Sequence, residues 1–519
     1  MDPVDNVKFG VLDYFFFTIV FILSMGIGLY YAVKARGQVS TVDDYLLGGR
    51  KMGILPVCCS LVATVLSGTA IIGIPAEIYA YGTYTWISIF ADFIVAVSMH
   101  FIFFEVFHGL NLTSAFKYLE MRFNRKVRLL ASGIFLFCGL LVLPLTVYIP
   151  ALTFERVTGV NIYVTVIILS IFCASYTAMG GFKGVIWTDV VQLLLILTSG
   201  ITVLVVGTQN VGGLEAVYDA ANRGGRIVFV NVEKLNSRSS WLAMIVSYPV
   251  LNIFLFGLNQ AILQRYLSLP SIRKMKITQW ITLIPLIFIY TFTTLMGIVM
   301  YANYETCDPT TAGLIRRMDQ MLPHFIIEKA TLFQGLSGIF IAGIFSAGLS
   351  TTSSYLNAMS GILYADFISL RYRNLANKAT DIMKITVLLL GLIQIAFVFL
   401  IEKMGMITQI AMQCYALQGT TMVTLFGLGI LVPRANSMGA IAGALSSIIG
   451  ILVLILGSLN NKAEPTLPLR TDGCDSGLNI TTSNIPEVFK VVEDVDDTFW
   501  LFKLNFQYYA LVGTVIGMC

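Results

Sequence analysis

Apolar positions in this chain come in long unbroken runs, not in the narrow stripes of surface helices. Runs at roughly 11–33, 54–79, 86–107, 129–152, 161–178, 185–206, 241–262, 278–301, 332–364, 382–401, 407–431, 437–457 and 506–519 alternate with short polar connections. A stretch of about 20 apolar residues spans a bilayer as a helix, and only helices or closed barrels satisfy every backbone group there. The pattern predicts an all-α polytopic membrane protein with about 13 transmembrane helices. Asp2 and Asp5 precede the first run, which lacks a small-residue cleavage site, so it reads as a retained helix rather than a signal peptide.

Polar positions inside the runs carry the chemistry. From Leu332 to Tyr364 the ninth run has 33 residues without a charge, yet it holds Ser346, Ser350, Thr351, Thr352, Ser353 and Ser354. Lipid gives such oxygens no partner, so they face protein, water or an ion. Ala347, Ser350 and Thr351 fall at i, i+3, i+4 and share one helical face. Two readings stay open for them: oxygen ligands for a partly dehydrated Na⁺, or hydroxyls bonded to the preceding turn and to neighbouring helices. The second run contains Ser60, Thr64, Ser67, Gly68 and Thr69, then Gly73 and Pro75, which predicts an interrupted helix with exposed carbonyls. The seventh run offers a second interruption at Pro249, with Asn252 able to cap the freed backbone or to reach a ligand. These two interruptions open two consecutive blocks of five spans, the pattern of inverted repeats. Asp92 lies inside the third run and Asp189 near the start of the sixth, where it reads either as a helix-end cap or as part of an ion route. No Lys or Arg is expected deep in a span.

Composition agrees and charge sets orientation. Hydrophobic residues make up 57%, charged residues 12%, and mean hydropathy is +0.81, which excludes an ordinary soluble domain. With the N-terminus outside, the cytoplasmic connections hold Lys34, Arg50, Arg122, Arg125, Lys126, Arg128, Arg265, Arg273, Lys274, Lys276, Arg371, Arg373 and Arg434, and the longer outer loops are acidic. The net charge of +4 is therefore a topology signal, not a nucleic-acid footprint. Asn479-Ile480-Thr481 is a glycosylation acceptor in an outer loop; Asn111-Leu112-Thr113 falls inside and is discounted. Cys307 and Cys474 lie in outer loops and can form a disulfide, although sequence supplies no distance. The acidic run Glu493, Asp494, Asp496, Asp497 reads as a solvated loop rather than a metal site. Neither a metal cluster nor a nucleophile–base arrangement is evident, and His324 stands alone, so an enzyme is not expected.

Several motifs in order carry a family likeness: Asp44-Tyr45-Leu46-Leu47-Gly48-Gly49-Arg50, Pro75-Ala76-Glu77-Ile78-Tyr79, Tyr118-Leu119-Glu120-Met121-Arg122-Phe123, Tyr176 through Asp189, and Phe345 through Asn357. They resemble the sodium/solute symporter family through nearly the whole chain. The resemblance implies a LeuT-like inverted-repeat (5+5) core with one additional N-terminal and two additional C-terminal helices. The expected division is 1–53 for the N-terminus, first helix and loop, 54–206 for the first repeat, 207–240 for an outer loop, 241–431 for the second repeat, and 432–519 for two C-terminal helices with the outer loop 458–505. It also implies Na⁺ as coupling ion, with no organic cofactor, held by carbonyls of Ala63, Leu66 and Ala347 and hydroxyls of Ser350 and Thr351. Asp189 would serve a second sodium site or an inner gate.

Within the family, the stretch Gly73–Tyr79, the stretch Thr113–Glu120, and Cys307-Asp308-Pro309 followed by Asp319-Gln320 resemble the monocarboxylate, multivitamin and iodide branch. Ala70 stands where sugar carriers place a glutamine, which argues against a hexose. The resemblance implies sodium-coupled import of a small organic monocarboxylate such as lactate, pyruvate or a short-chain fatty acid. The alternatives are pantothenate, biotin or iodide as cargo, or a sodium leak channel or sensor without concentrative uptake. Candidate cargo residues are Ser67, Gly68, Thr69, Trp86, Phe90, Tyr148, Tyr248, Asn252, Gln413, Tyr415 and Gln418. The expected partners are the anion and membrane lipids, with no nucleic acid and no obligate protein partner, and the expected location is the plasma membrane. Asp92 departs from the branch's pattern and would repel an anion unless it is paired.

Overall fold

The computed structural model describes residues 9–34, 41–110, 112, 114–229, 240–315, 317–329, 335–372, 377–401, 407–458, 466–474 and 500–519. The long apolar runs become helices: α1 (Val11–Lys34), α2 (Ile54–Val65), α3 (Gly68–Tyr81), α4 (Thr83–Gly109), α5 (Arg125–Thr158), α6 (Ile162–Val211), α7 (Ala243–Leu258), α8 (Gln260–Leu267), α9 (Ile272–Asn303), α10 (Leu336–Ile362), α11 (Ala379–Ile401), α12 (Ile407–Leu431), α13 (Ser437–Ser458) and α14 (Phe506–Met518). Among the described residues nine helices are long and apolar enough to cross a membrane, or eleven when two bent pairs are each taken as one span. This is an all-α, multi-pass membrane protein.

The thirteen runs do not map one to one onto these helices. The fifth and sixth runs join in α6, a 50-residue helix whose direction changes at Gly181, where φ is 55° and ψ is −158°. That conformation is open to glycine almost alone. The second run divides into α2 and α3. The last, α14, is shorter than a bilayer crossing needs.

The hydroxyl-rich α10 is the centre of the bundle. Every residue from Leu336 to Ile362 except Ile339 is buried, and the helix packs on α1, α5 and α6. Close approach needs small residues: a Cβ on Gly348 would lie 2.5 Å from the Thr146 carbonyl of α5. By contrast α1 turns Phe15, Ile22 and Leu29 outward, as a lipid-facing helix must.

On one face of the bundle the chain is stitched together. Cys307 and Cys474 form a disulfide with Cα atoms 4.9 Å apart. Asp308 N donates to Arg470 O, and Leu467 N donates to Ala80 O at the end of α3. Arg226, fully buried, donates to the carbonyls of Tyr79, Gly224 and Pro468 and lies over the Tyr301 ring.

Candidate functional site

The interruption expected in the second run falls at Leu66 and Ser67. Leu66 leaves the helix at ψ 68°, and extended Ser67 caps α3 by accepting from Ala70 N at 3.3 Å. Ser67 N bonds Val65 O at 2.8 Å, not the Ala63 carbonyl it would take in a continuing helix. The break therefore releases Ala63 O from the ladder. A serine cap followed by glycine is the local reason the chain stops and restarts here.

Across from the break stands α10. The Thr351 hydroxyl donates to the Thr64 carbonyl at 3.1 Å and lies 3.2 Å from Ala347 O. Ser350 donates to Asp189 Oδ1 at 2.7 Å. Ala63, Leu66, Ala347, Ser350 and Thr351 are all buried. The five residues singled out for sodium thus lie on α10 and on the end of α2 with its C-cap Leu66, with hydroxyl lone pairs left after each proton is donated.

Asp189 is not a simple helix-end cap. It is fully buried in α6, where Oδ2 receives Ser60 Oγ at 2.5 Å and Arg265 Nη2 at 2.9 Å. Arg265 also donates to Ser354 Oγ at 2.5 Å and to Ser60 Oγ at 2.7 Å. Arg265, expected as a basic residue of a polar connection, lies instead in the last turn of α8 within a buried ion-pair network. Arg265 is 1% exposed in α8, and Arg128 is nearly as buried in α5, held by Glu120, Asp366 and the carbonyl of Ala365. Both are tolerated because each meets a carboxylate and further acceptors.

The seventh run breaks elsewhere than expected. Pro249 sits inside α7 just after a wide, π-type turn at Ala243–Ser247, and the helix continues through it. The chain bends by 51° at Asn259, whose side chain accepts from Ala261 N at 3.0 Å and donates to Tyr355 Oη at 2.8 Å. Asn before an apolar stretch is an N-cap signal that was there to be read. Asn252 caps nothing; its Nδ2 donates to Asp92 Oδ1 at 2.6 Å.

Between the broken elements lies a cavity of about 180 Å³. Of the expected cargo residues, Ser67, Tyr248, Asn252 and Tyr415 line it. Gly68 begins α3 behind Ser67, and the Thr69 side chain is outside the described residues. Trp86 donates to Thr291 Oγ1 at 3.1 Å, and Phe90 is 58% exposed on the outer surface of α4. Tyr148 is buried in α5, Gln418 donates to Phe135 O at 3.3 Å, and Gln413 is half-buried; none of the three lines the cavity. Sequence reasoning missed Glu77, Asn259, Tyr290 and Tyr355, which do. Glu77 and Asn259 were visible as polar residues beside the two breaks, whereas the two tyrosines come from helices whose register no local pattern gives. Asn479 lies outside the described residues, as does Asn111.

A bundle of membrane-spanning helices with a broken helix facing a hydroxyl-rich one beside a cavity defines a membrane transporter. The chain matches the sodium:solute symporter family over residues 45–450 and belongs to it. It is 33% identical to the sodium-coupled monocarboxylate transporter 2 of Bos taurus, over 98% of this chain and 82% of that one. It is also 33% identical to the human sodium-coupled monocarboxylate transporter 1 (98% and 86%) and to the rabbit (Oryctolagus cuniculus) sodium-dependent multivitamin transporter (98% and 82%). A substrate-bound, outward-open Na⁺-coupled sialic acid symporter shares the fold, with a TM-score of 0.79 at 24% identity over 98% of this chain and 97% of that one. The protein is a sodium-coupled symporter and not an enzyme.

Proposed function

We propose that this symporter imports a small organic monocarboxylate, with lactate, pyruvate and short-chain fatty acids as the first class to test. The observation that carries the reading is the helix break at Leu66–Ser67 facing Ser350 and Thr351 beside the cavity. Relatives at one-third identity along 98% of the chain bear monocarboxylate and multivitamin names, so pantothenate and biotin belong in the same panel.

In this reading Na⁺ is co-transported cargo. The donor set suits a hard cation: a carbonyl released from the helix ladder at Ala63, the carbonyls of Leu66 and Ala347, and two hydroxyls whose protons point elsewhere. Asp189 acts beside it through Ser350, as a second sodium site or an inner gate. With no Lys, Arg or His among the lining residues, the carboxylate of the organic cargo is held by the Ser67 hydroxyl, the N-terminal amides of α3 and the field of the ion. Coupling follows because sodium and cargo each favour the same outward-facing arrangement over the inward-facing one. The core is read as two five-helix repeats, 54–206 and 241–431, within thirteen spans, with the N-terminus outside and the protein at the plasma membrane.

The test is radiolabelled uptake into proteoliposomes under inward sodium or potassium gradients, with lactate, pyruvate, butyrate, pantothenate, biotin, iodide, glucose and inositol. Sodium-driven accumulation of a monocarboxylate, with Ser350→Ala and Thr351→Ala each raising the sodium needed for half-maximal uptake about tenfold, is the expected result. Sodium current without accumulation of any panel member would replace it by a channel.

A further inference from the structure

Part of the cavity's polar wall is turned one way. Asn252 and Tyr290 both line it, and both have Asp92 behind them: Asn252 Nδ2 donates to Asp92 Oδ1 at 2.6 Å, and the Tyr290 hydroxyl faces the same carboxylate. Asp92 is 3% exposed and its Oδ2 accepts no hydrogen bond among the described residues, so the carboxylate has acceptor capacity to spare. With its N–H given to Asp92 Oδ1, the Asn252 amide turns its carbonyl oxygen the other way. Other lining hydroxyls follow suit. Thr64 donates to Ser60 O, Ser88 to Thr85 O, and Tyr84 to Glu77 Oε1. What these groups leave for the cavity is lone pairs.

Resting on the function proposed above, we infer that Asp92 is a specificity-determining residue: through Asn252 and Tyr290 it makes the cavity wall an acceptor surface that selects carboxylates carrying a hydroxyl or ammonium donor. The cargo's carboxylate lies toward Ser67 and the sodium residues, and its donor lies toward Asn252. A plain fatty acid leaves the Asn252 oxygen without a partner, and a site built to hydrogen-bond a hydroxyl discriminates strongly against the analogue that lacks it. Asp92 touches no cargo and acts through the two residues in front of it. Replacing it by asparagine offers Asn252 an N–H as well as a carbonyl, so the Asn252 amide is no longer held in one orientation.

Lactate and propionate differ by this one hydroxyl. In sodium-driven proteoliposome uptake, the wild-type KM for lactate is expected to be at least about tenfold below that for propionate. In Asp92→Asn the ratio should fall to within about twofold while the sodium concentration for half-maximal uptake stays put, a pattern that general damage to the fold does not produce. Tyr290→Phe removes a single acceptor oxygen and should narrow the ratio severalfold, which decides the matter if Asp92→Asn does not fold. A wild-type ratio near one, or a ratio unchanged in the variant that folds, overturns the inference while the symport reading stands. Accumulation of neither acid by the wild type removes both.

Discussion

Arg265 and Asp189 are an ion pair with almost no contact with water, and burial of both charges is offset because Arg265 also donates to Ser60, Ala261 and Ser354 while Asp189 also accepts from Ser60 and Ser350. Breaking such a pair from one side is far worse than removing both members. Arg265→Met alone should lower the unfolding free energy by about 3–5 kcal/mol. The double variant Arg265→Met with Asp189→Leu should recover most of that loss. Thermal melting of the detergent-solubilised protein reads the stability, and uptake reads the function. We expect the double variant to be stable and silent, because Ser350 loses the acceptor that orients its hydroxyl. A stable double variant with normal sodium-driven uptake would assign the pair to packing alone. At this scale the sequence was half legible: the hydroxyls of α10 stood out because lipid has no use for them. Arg265 did not stand out, since a lone arginine beside a loop looks like a topology signal until its partner, 76 residues earlier, is brought to it by the fold.

The elements are shaped by where helices are allowed to stop. The break at Ser67 was readable because cap, glycine and hydroxyls coincide within a few residues. The bend at Asn259 was hidden behind a more conspicuous proline, which α7 accommodates beside a wide turn without breaking. In α6 the change of direction depends on Gly181, and a Cβ there would meet the Tyr45 ring at 3.0 Å in a backbone region that other residues avoid. Gly181→Ala is therefore expected to cost about 1–3 kcal/mol and to lower the yield of folded protein, whereas the nearby Gly184→Ala, with open space around the added carbon, should be tolerated. Fluorescence-detected size-exclusion profiles of the two variants make the comparison; equal profiles would mean that α6 bends for some other reason. Two spans joined into one helix also explain why apolar runs do not match helices one to one: a run ends just before Gly180-Gly181 in the sequence, but the helix resumes at once.

The whole molecule has two unlike ends, and the proposed orientation in the membrane rests on them. One end carries the Cys307–Cys474 disulfide, the segment 466–474 tied to Ala80 and Thr306, and the exposed pair of Arg223 with Glu305. Disulfides persist in oxidising surroundings, and Asn479 follows Cys474 by only a few residues. The other end carries Arg122, bonded to the carbonyls of Gly429, Val432 and Pro433, together with Arg128 and the basic start of α9 at Arg273, Lys274 and Lys276. In the proposed orientation the excess of Lys and Arg puts this second end on the cytoplasmic side. Helix α9 runs from the basic end at Ile272 to Asn303, just before Cys307, so the two assignments reinforce each other along a single span. An N-terminus outside follows if α1, which ends at Lys34, carries the chain to the basic side. An epitope tag before residue 9 should then be stained on intact, unpermeabilised cells, and Asn479→Gln should remove one glycan's worth of mass on denaturing gels. Staining only after permeabilisation, with no mobility change in Asn479→Gln, would invert the molecule. It would also place the disulfide in a reducing compartment, where the stitching of the outer segments could not depend on it.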